Sequence, residues 1–296
     1  MNWMYWCIFG YILLFAGAAT GLAIWIAKRR KEKPPVEFKL LRAPGESLRR
    51  RLAKADEQDQ LYMLTAAFIP LAALIICGYS LQMGAPQSWL QFGIWAGGAS
   101  LCFIGSLVLS LCWMVKRLQR YWNDALGYLG EREVAEHMLP LIAQGYHVFH
   151  DVPAEGKKKK FNLDHVAVGP SGVAVIETKT RRKGRARPGR ASHQVFYNGQ
   201  NLDWPWGIDN HGLNQAINEA EWLQTFIKEE LKLEITVRPI LALPGWWVES
   251  QGRGTVWVTN SKNVSTAVAY GGRALNDAQI KQIATKLDTL CRDVED

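Results

Sequence analysis

The chain has 296 residues, of which 48% are hydrophobic and 21% charged, with a formal net charge of +8. That length holds one large domain or two ordinary ones, and the composition fits a globular protein or a small membrane protein joined to one. The basic balance favours an anionic partner, nucleic acid or lipid headgroups, while Cys7, Cys77, Cys102, Cys112 and Cys291 contain no CxxC pair and so argue against a disulfide framework or a zinc site.

From the N-terminus, three apolar segments come first. Residues 3–27, 61–81 and 89–115 are uncharged over 25, 21 and 27 positions. Each exceeds the roughly 20 residues that carry a helix across about 30 Å of hydrocarbon. No basic residue precedes Trp3 and "KRRKEK" follows the first run, which is the reverse of a signal peptide. Three transmembrane helices are therefore expected, the first within 1–27 and the others as a hairpin over 61–115. Trp3, Trp6, Trp25, Trp89 and Trp113 sit near the ends of these runs, where amphipathic rings prefer the headgroup layer. Gly17/Gly21 and Gly93/Gly97 have a spacing that lets helices approach closely, a route to a homo-oligomer or a membrane partner.

The intervening residues 28–60 are read as a basic cytoplasmic loop. They hold eleven Lys and Arg, whereas the short loop 83–88 holds none and Lys116, Arg117 and Arg120 follow the third run. The charge bias places the N-terminus outside and everything after residue 115 in the cytoplasm, as a multi-pass protein of the inner membrane. Topology and contact with the anionic lipid bilayer suffice to explain the basic loop.

From about Tyr121 the composition becomes that of a soluble α/β domain, taken as 121–296. "GEREVAEHMLPLI" has Val134, Met138, Leu141 and Ile142 at helical spacing, broken by Pro140, and "GYHVFHDV" reads as a strand. "FNLDHVAVGPSGVAVIETKT" is a hairpin, followed by a long basic loop. Residues 212–232 read as a helix, "TVRPILAL" and "GTVWVTN" as strands, and 277–294 as a closing helix. The order implies a mixed sheet flanked by helices.

If Gly169 to Gly172 form the hairpin turn, Val168 faces Val173 and Asp164 faces Glu177. Like charges opposite each other destabilise a strand pair, and Lys179 shares the face of Glu177 by alternation. Two carboxylates beside an ammonium suit a hard cation such as Mg²⁺ or Mn²⁺, held by Asp164, Glu177 and the Thr178 carbonyl. Such an ion serves phosphodiester hydrolysis, with Lys179 orienting water and stabilising developing charge. A plain salt bridge at a hairpin end would use the same residues.

"D…ETK" after a helix bearing "GE" resembles the PD-(D/E)xK nuclease superfamily, with its restriction-endonuclease-like fold. More narrowly, "GYLGEREVAEHMLPL", "NLDHVAVGPSGVAVIETK" and "LNQA" resemble the nuclease-related domain, NERD, over residues 127–245. The resemblance implies Asp164 and Glu177 as metal ligands and Lys179 as the catalytic lysine. It adds Glu131 and Gln215 to the catalytic set. The sequence departs from it at Leu163, where Pro is frequent, and at "NHGLNQA", which lacks the family's Asn-Pro. His165 points to the opposite face by alternation and is read as a packing residue.

Residues 151–190 hold eleven Lys and Arg against four acids. Lys157, Lys158, Lys159, Lys160, Arg181, Arg182, Lys183, Arg185, Arg187 and Arg190 are the candidate contacts to a nucleic-acid backbone. Trp204 and Trp206 are candidates for stacking on bases, and equally for core packing or an interface. The expected protein is a membrane-anchored, metal-dependent nuclease acting on DNA at the cytoplasmic face, where foreign DNA would be met. A membrane-tethered module that binds nucleic acid or protein without cleaving is the alternative, and intact Asp164, Glu177 and Lys179 disfavour it.

Overall fold

The computed structural model describes residues 40–84, 88–156 and 160–292, together with Gly17 and Gly21. The chain divides into two units, 1–40 and 41–295. The first expected span, 3–27, and Lys157, Lys158 and Lys159 lie outside the described residues.

In the second unit, helix α1 (Glu46–Gly84) is followed by α2 (Trp89–Met138), a 50-residue helix whose first turn is capped by the Ser88 hydroxyl. Leu90, Ile94, Leu101, Ile104 and Leu109 are exposed along the first half of α2, whereas Val134, Ala135 and Met138 are buried in the second. One helix thus runs from an uncovered apolar stretch into a folded core, with no break at residues 116–121. Pro140 ends it, and the short α3 (Pro140–Ala143) follows.

Among the described residues, one helix, Trp89–Ala143, is long and apolar enough to cross a membrane. This differs from the three spans expected. The segment 61–81 is helical, but it lies inside a helix that begins fifteen residues earlier in charged sequence, at Glu46. Residues 46–60, read above as loop, are that helix's opening turns. They carry Glu46, Arg49, Arg50, Arg51 and Lys54, with Glu46 buried and accepting bonds from Arg49 and Arg50.

The core sheet has five strands in the order β1-β2-β3-β7-β9. Strands β1 (His147–Glu155), β2 (Lys160–Gly169) and β3 (Gly172–Thr178) form an antiparallel meander. Strands β7 (Val237–Ala242) and β9 (Trp257–Thr259) add in parallel. The β2–β3 pairing puts Val168 opposite Val173 and Gly169 opposite Gly172, the register read from the turn. Gly172 has φ of 115°, the left-handed backbone that Gly adopts without steric cost.

Alternation along β3 sends Val173 and Val175 to one layer and Ala174 and Ile176 to the other. Helix α4 (His211–Leu231) and helix α6 (Asp277–Cys291) cover the first face through Ala220, Leu223, Ile227, Ile280, Ile283 and Leu287. The end of α2, with α3 and α5 (Val264–Ala269), covers the second. A second sheet, ordered β6-β5-β4-β8, comprises β4 (Gln194–Tyr197), β5 (Leu202–Trp204), β6 (Gly207–Asp209) and β8 (Trp247–Ser250). It packs Val195, Tyr197, Leu202 and Trp204 against Leu213, Leu241 and Trp246. These mixed sheets flanked by helices fit the α/β domain expected from the sequence.

Candidate active site

The β2–β3 ladder stops at the pair His165–Ile176. One step further, the backbone N–H of Thr178 donates to Asp164 Oδ2 at 2.8 Å, so a side chain replaces the next ladder bond. The strands part at this point, and Asp164, Glu177 and Lys179 project from the opening on the face covered by α4. Lys179 Nζ donates to Glu177 Oε1 at 3.2 Å and to Gln215 Oε1 at 2.9 Å, and Gln215 lies in the first turns of α4. The four residues Asp164, Glu177, Lys179 and Gln215, read from separate stretches of sequence, therefore meet in one place.

Glu131 approaches from α2. At Gly130 a Cβ atom would collide with the Thr180 side chain, so glycine lets the helix lie against the end of β3. Glu131 is buried beside Asp164 and Asp151 and takes a bond from the Gly45 backbone. Burial first, then the charges of Asp164 and Asp151, push its carboxyl up to about 9. It is neutral at physiological pH.

Sequence reasoning missed Glu219. It sits one turn after Gln215 on α4, is buried, and accepts from Gln215 Nε2 at 3.0 Å. Burial and then the Asp164 charge push its carboxyl up to about 8. Burial and then the Glu219 charge likewise raise Glu177, while burial and then the Glu177 charge raise Asp164, opposed by the Thr178 N–H and Lys179. A signal was present: Gln215 and Glu219 are four apart, and Glu219 interrupts the apolar stripe Ala216, Ala220, Leu223.

The segment leading into α1 was also missed as part of the domain. Asp151, at φ of 49° in β1, is almost fully buried and accepts from Arg42 Nη1 at 3.0 Å, Ser47 N at 3.2 Å, Ser47 Oγ at 2.5 Å and Asn162 Nδ2 at 3.1 Å. These bonds hold residues 42–47 against the sheet and bring Gly45 over Glu131. His165, on the opposite face, is fully buried with its Nδ1 2.8 Å from Nδ1 of His150. It plays no part in the carboxylate cluster.

The basic run is divided by the fold. Arg187 and Arg190 both pair with Asp203, and Arg187 also bonds the Trp204 and Pro205 carbonyls. Arg181 pairs with Asp209 at 3.0 Å. Lys160 pairs with Glu155 at 3.1 Å. Arg182 lies over Trp122 and bonds its carbonyl, and Lys183 lies near the Trp246 ring. Arg182, Lys183, Arg185 and Arg187 are the exposed members of the run from 181, and of these Arg187 is paired with Asp203. Trp204 is buried, whereas Trp206 stacks on it and is 37% exposed. A cleft of about 470 Å³ beside Lys179 is lined by Asn123, Leu126, Thr180, Arg181, Arg182 and Trp206.

Among the described residues, no three His, Cys, Asp or Glu side chains stand as a ready-made metal cage. The donor chemistry nevertheless fits a hard cation. Glu177 Oε2 is buried with no hydrogen-bond partner, and a buried carboxylate oxygen without a donor is costly unless a proton or a cation meets it. The chain matches none of the curated proteins and none of the solved structures with which it was compared. Residues 126–244, which supply Glu131, Asp164, Glu177, Lys179, Gln215 and Glu219, match the family model described as NERD, the nuclease-related domain.

Proposed function

We propose that the chain is a membrane-anchored nuclease that hydrolyses phosphodiester bonds of nucleic acid, with DNA as its substrate, using a divalent metal ion. The observation that carries this reading is the meeting of Asp164, Glu177, Lys179 and Gln215 at the parted end of β2 and β3 inside the NERD stretch. Asp164 and Glu177 would hold the ion, with the Thr178 carbonyl beside them. A bound Mg²⁺ or Mn²⁺ would polarise a phosphoryl oxygen and acidify a water.

The chain's own residues supply the rest. Lys179, fixed by Gln215, presents an ammonium where negative charge develops on the phosphate. Neutral Glu131 adds no further repulsion to Asp164. Arg182, on the cleft beside Lys179, and the exposed Lys183 and Arg185 that follow it in the chain offer backbone contacts, which position a strand without reading its bases. The apolar first half of α2 serves as a membrane anchor, accompanied by the segments 3–27 and 61–81. The charge bias of the loops sets the N-terminus outside and the nuclease domain in the cytoplasm.

Incubating the full chain in detergent with supercoiled plasmid, with Mg²⁺ and with a chelator, tests the chemistry. Nicking that requires the ion is expected, and its absence overturns the enzymatic reading. A reporter fused after Asp296 is expected to read as cytoplasmic, and an external signal overturns the orientation.

A further inference from the structure

We propose that Glu219 is a third carboxylate of the cation site, closing with Asp164 and Glu177 on a hard divalent ion; in the metal-free chain the three do not stand as a ready-made cage. The inference rests on the reading of Asp164 and Glu177 as metal ligands.

Glu219 is 2% exposed and stands on the face of α4 that packs Ala216, Ala220 and Leu223 into the core. An ionisable group at such a position is destabilising unless both its oxygens are satisfied. Only Oε1 is: it accepts from Gln215 Nε2 at 3.0 Å. Gln215 in turn accepts from Lys179, which also donates to Glu177 Oε1. The chain of bonds thus runs Glu219, Gln215, Lys179, Glu177, and accounts for one oxygen at each end. The other oxygen at each end, Glu219 Oε2 and Glu177 Oε2, is buried without a donor.

The two carboxyls lie within hydrogen-bonding reach of each other, and Asp164 interacts with both. Ionised carboxylates bring only acceptors to such a meeting, so a proton or a cation must lie between them. Lys179 is the ammonium of the network, so once ionised Asp164, Glu177 and Glu219 together exceed it by two negative charges, which retained protons relieve in the metal-free chain. A divalent cation supplies that balance, and oxygen ligands are what a hard ion takes. A cleft of about 370 Å³, lined by Phe161, Asn162, His211, Asn214, Gln215 and Glu219, leads to this side of the cluster.

The test is a titration of the full chain in detergent with Mn²⁺ alone, following loss of the free-ion electron paramagnetic resonance signal. E219Q keeps an oxygen for Gln215 and removes the charge. It is expected to weaken Mn²⁺ binding by about tenfold, and a loss smaller than about fivefold overturns the proposal. E177Q runs beside it. If E177Q binds Mn²⁺ like the unaltered chain, the metal-site reading itself fails; if E177Q loses the ion and E219Q does not, only the role of Glu219 fails. Should E219Q not fold, hydrogen exchange on the unaltered chain decides. Saturating Mn²⁺ must slow the amides of residues 215–220, and unchanged exchange there overturns the proposal.

Discussion

Replacing Glu131 with Gln is expected to stabilise the domain at neutral and alkaline pH but not at acidic pH. The carboxyl is held up to about 9 in the fold, against 4.5 when unperturbed. Between those values the folded chain binds a proton that the unfolded chain has released, so Glu131 lowers stability as pH rises through the window. At pH 7 the unfolded carboxyl is ionised by 2.5 units, measured from 4.5. At about 1.4 kcal/mol per unit, keeping the proton costs roughly 3 kcal/mol. At pH 5 the same arithmetic leaves under about 1 kcal/mol.

E131Q is isosteric with the protonated acid and still offers an oxygen to the Gly45 N–H, so it should remove the cost without opening a cavity. The chain's thirteen tryptophans provide the readout, since Trp204 and Trp246 are buried in the domain. Urea unfolding of the full chain in detergent, at pH 5 and pH 8, should show E131Q gaining on the unaltered chain only at the higher value. An equal difference at both pH values would refute the argument, because it would mean that Glu131 does not carry the proton. A loss of stability at pH 8 would refute it as well.

E177Q is expected to abolish Mg²⁺-dependent cleavage while the domain stays folded, and retained plasmid nicking would remove Glu177 from the site. Asp164→Ala should also abolish cleavage but lose about 1–3 kcal/mol by stranding the Thr178 N–H, whereas Asp164→Asn, which keeps an oxygen acceptor, should melt close to the unaltered chain. Neutralising Arg182, Lys183 and Arg185 together should lower the slope of log affinity against log salt by about 0.9 per lost duplex contact; an unchanged slope places these side chains away from the nucleic acid. His150 is pushed down to about 4 by burial and His165 well below its usual range, so the unfolded chain takes up protons that the fold refuses and stability falls as pH drops from 6.5 toward 4. His150→Asn should flatten that acid limb by about 1.4 kcal/mol per pH unit, seen in urea midpoints.

The hairpin was legible because its information is local. Gly-Pro-Ser-Gly fixes the turn, the turn fixes the register, and period-two alternation then sends Asp164, Glu177 and Lys179 to one face. The helices at 211–231 and 277–291 were legible for the same reason, each having an apolar stripe in phase. The second sheet was not. Its strands are three or four residues long, too short for a periodic signal, and β4 pairs in parallel with β8 across more than fifty residues, Gln194 with Trp247. That sheet is also what reassigns the basic run, since Asp203 in β5 claims Arg187 and Arg190, and Asp209 in β6 claims Arg181. A count of Lys and Arg along the chain has no access to acids that only folding brings near.

The composition boundary near residue 121 has no counterpart in the backbone, for a related reason. Composition separates an apolar stretch from a polar one, but an α-helix needs no change of backbone at that junction, and α2 crosses it unbroken. The same blindness hid residues 42–47, whose bonds to Asp151 span more than a hundred positions. Their consequence is electrostatic. Glu131 is neutral because it is out of water, and the Gly45 backbone that this segment carries is part of what covers it, although the Gly45 N–H bond by itself favours the anion. The residues just before α1 therefore help to set the charge in the carboxylate cluster, by covering Glu131 and by pairing Arg42 with Asp151. Loosening them should let water reach Glu131, lower its carboxyl toward the ordinary range, and place one more negative charge beside Asp164.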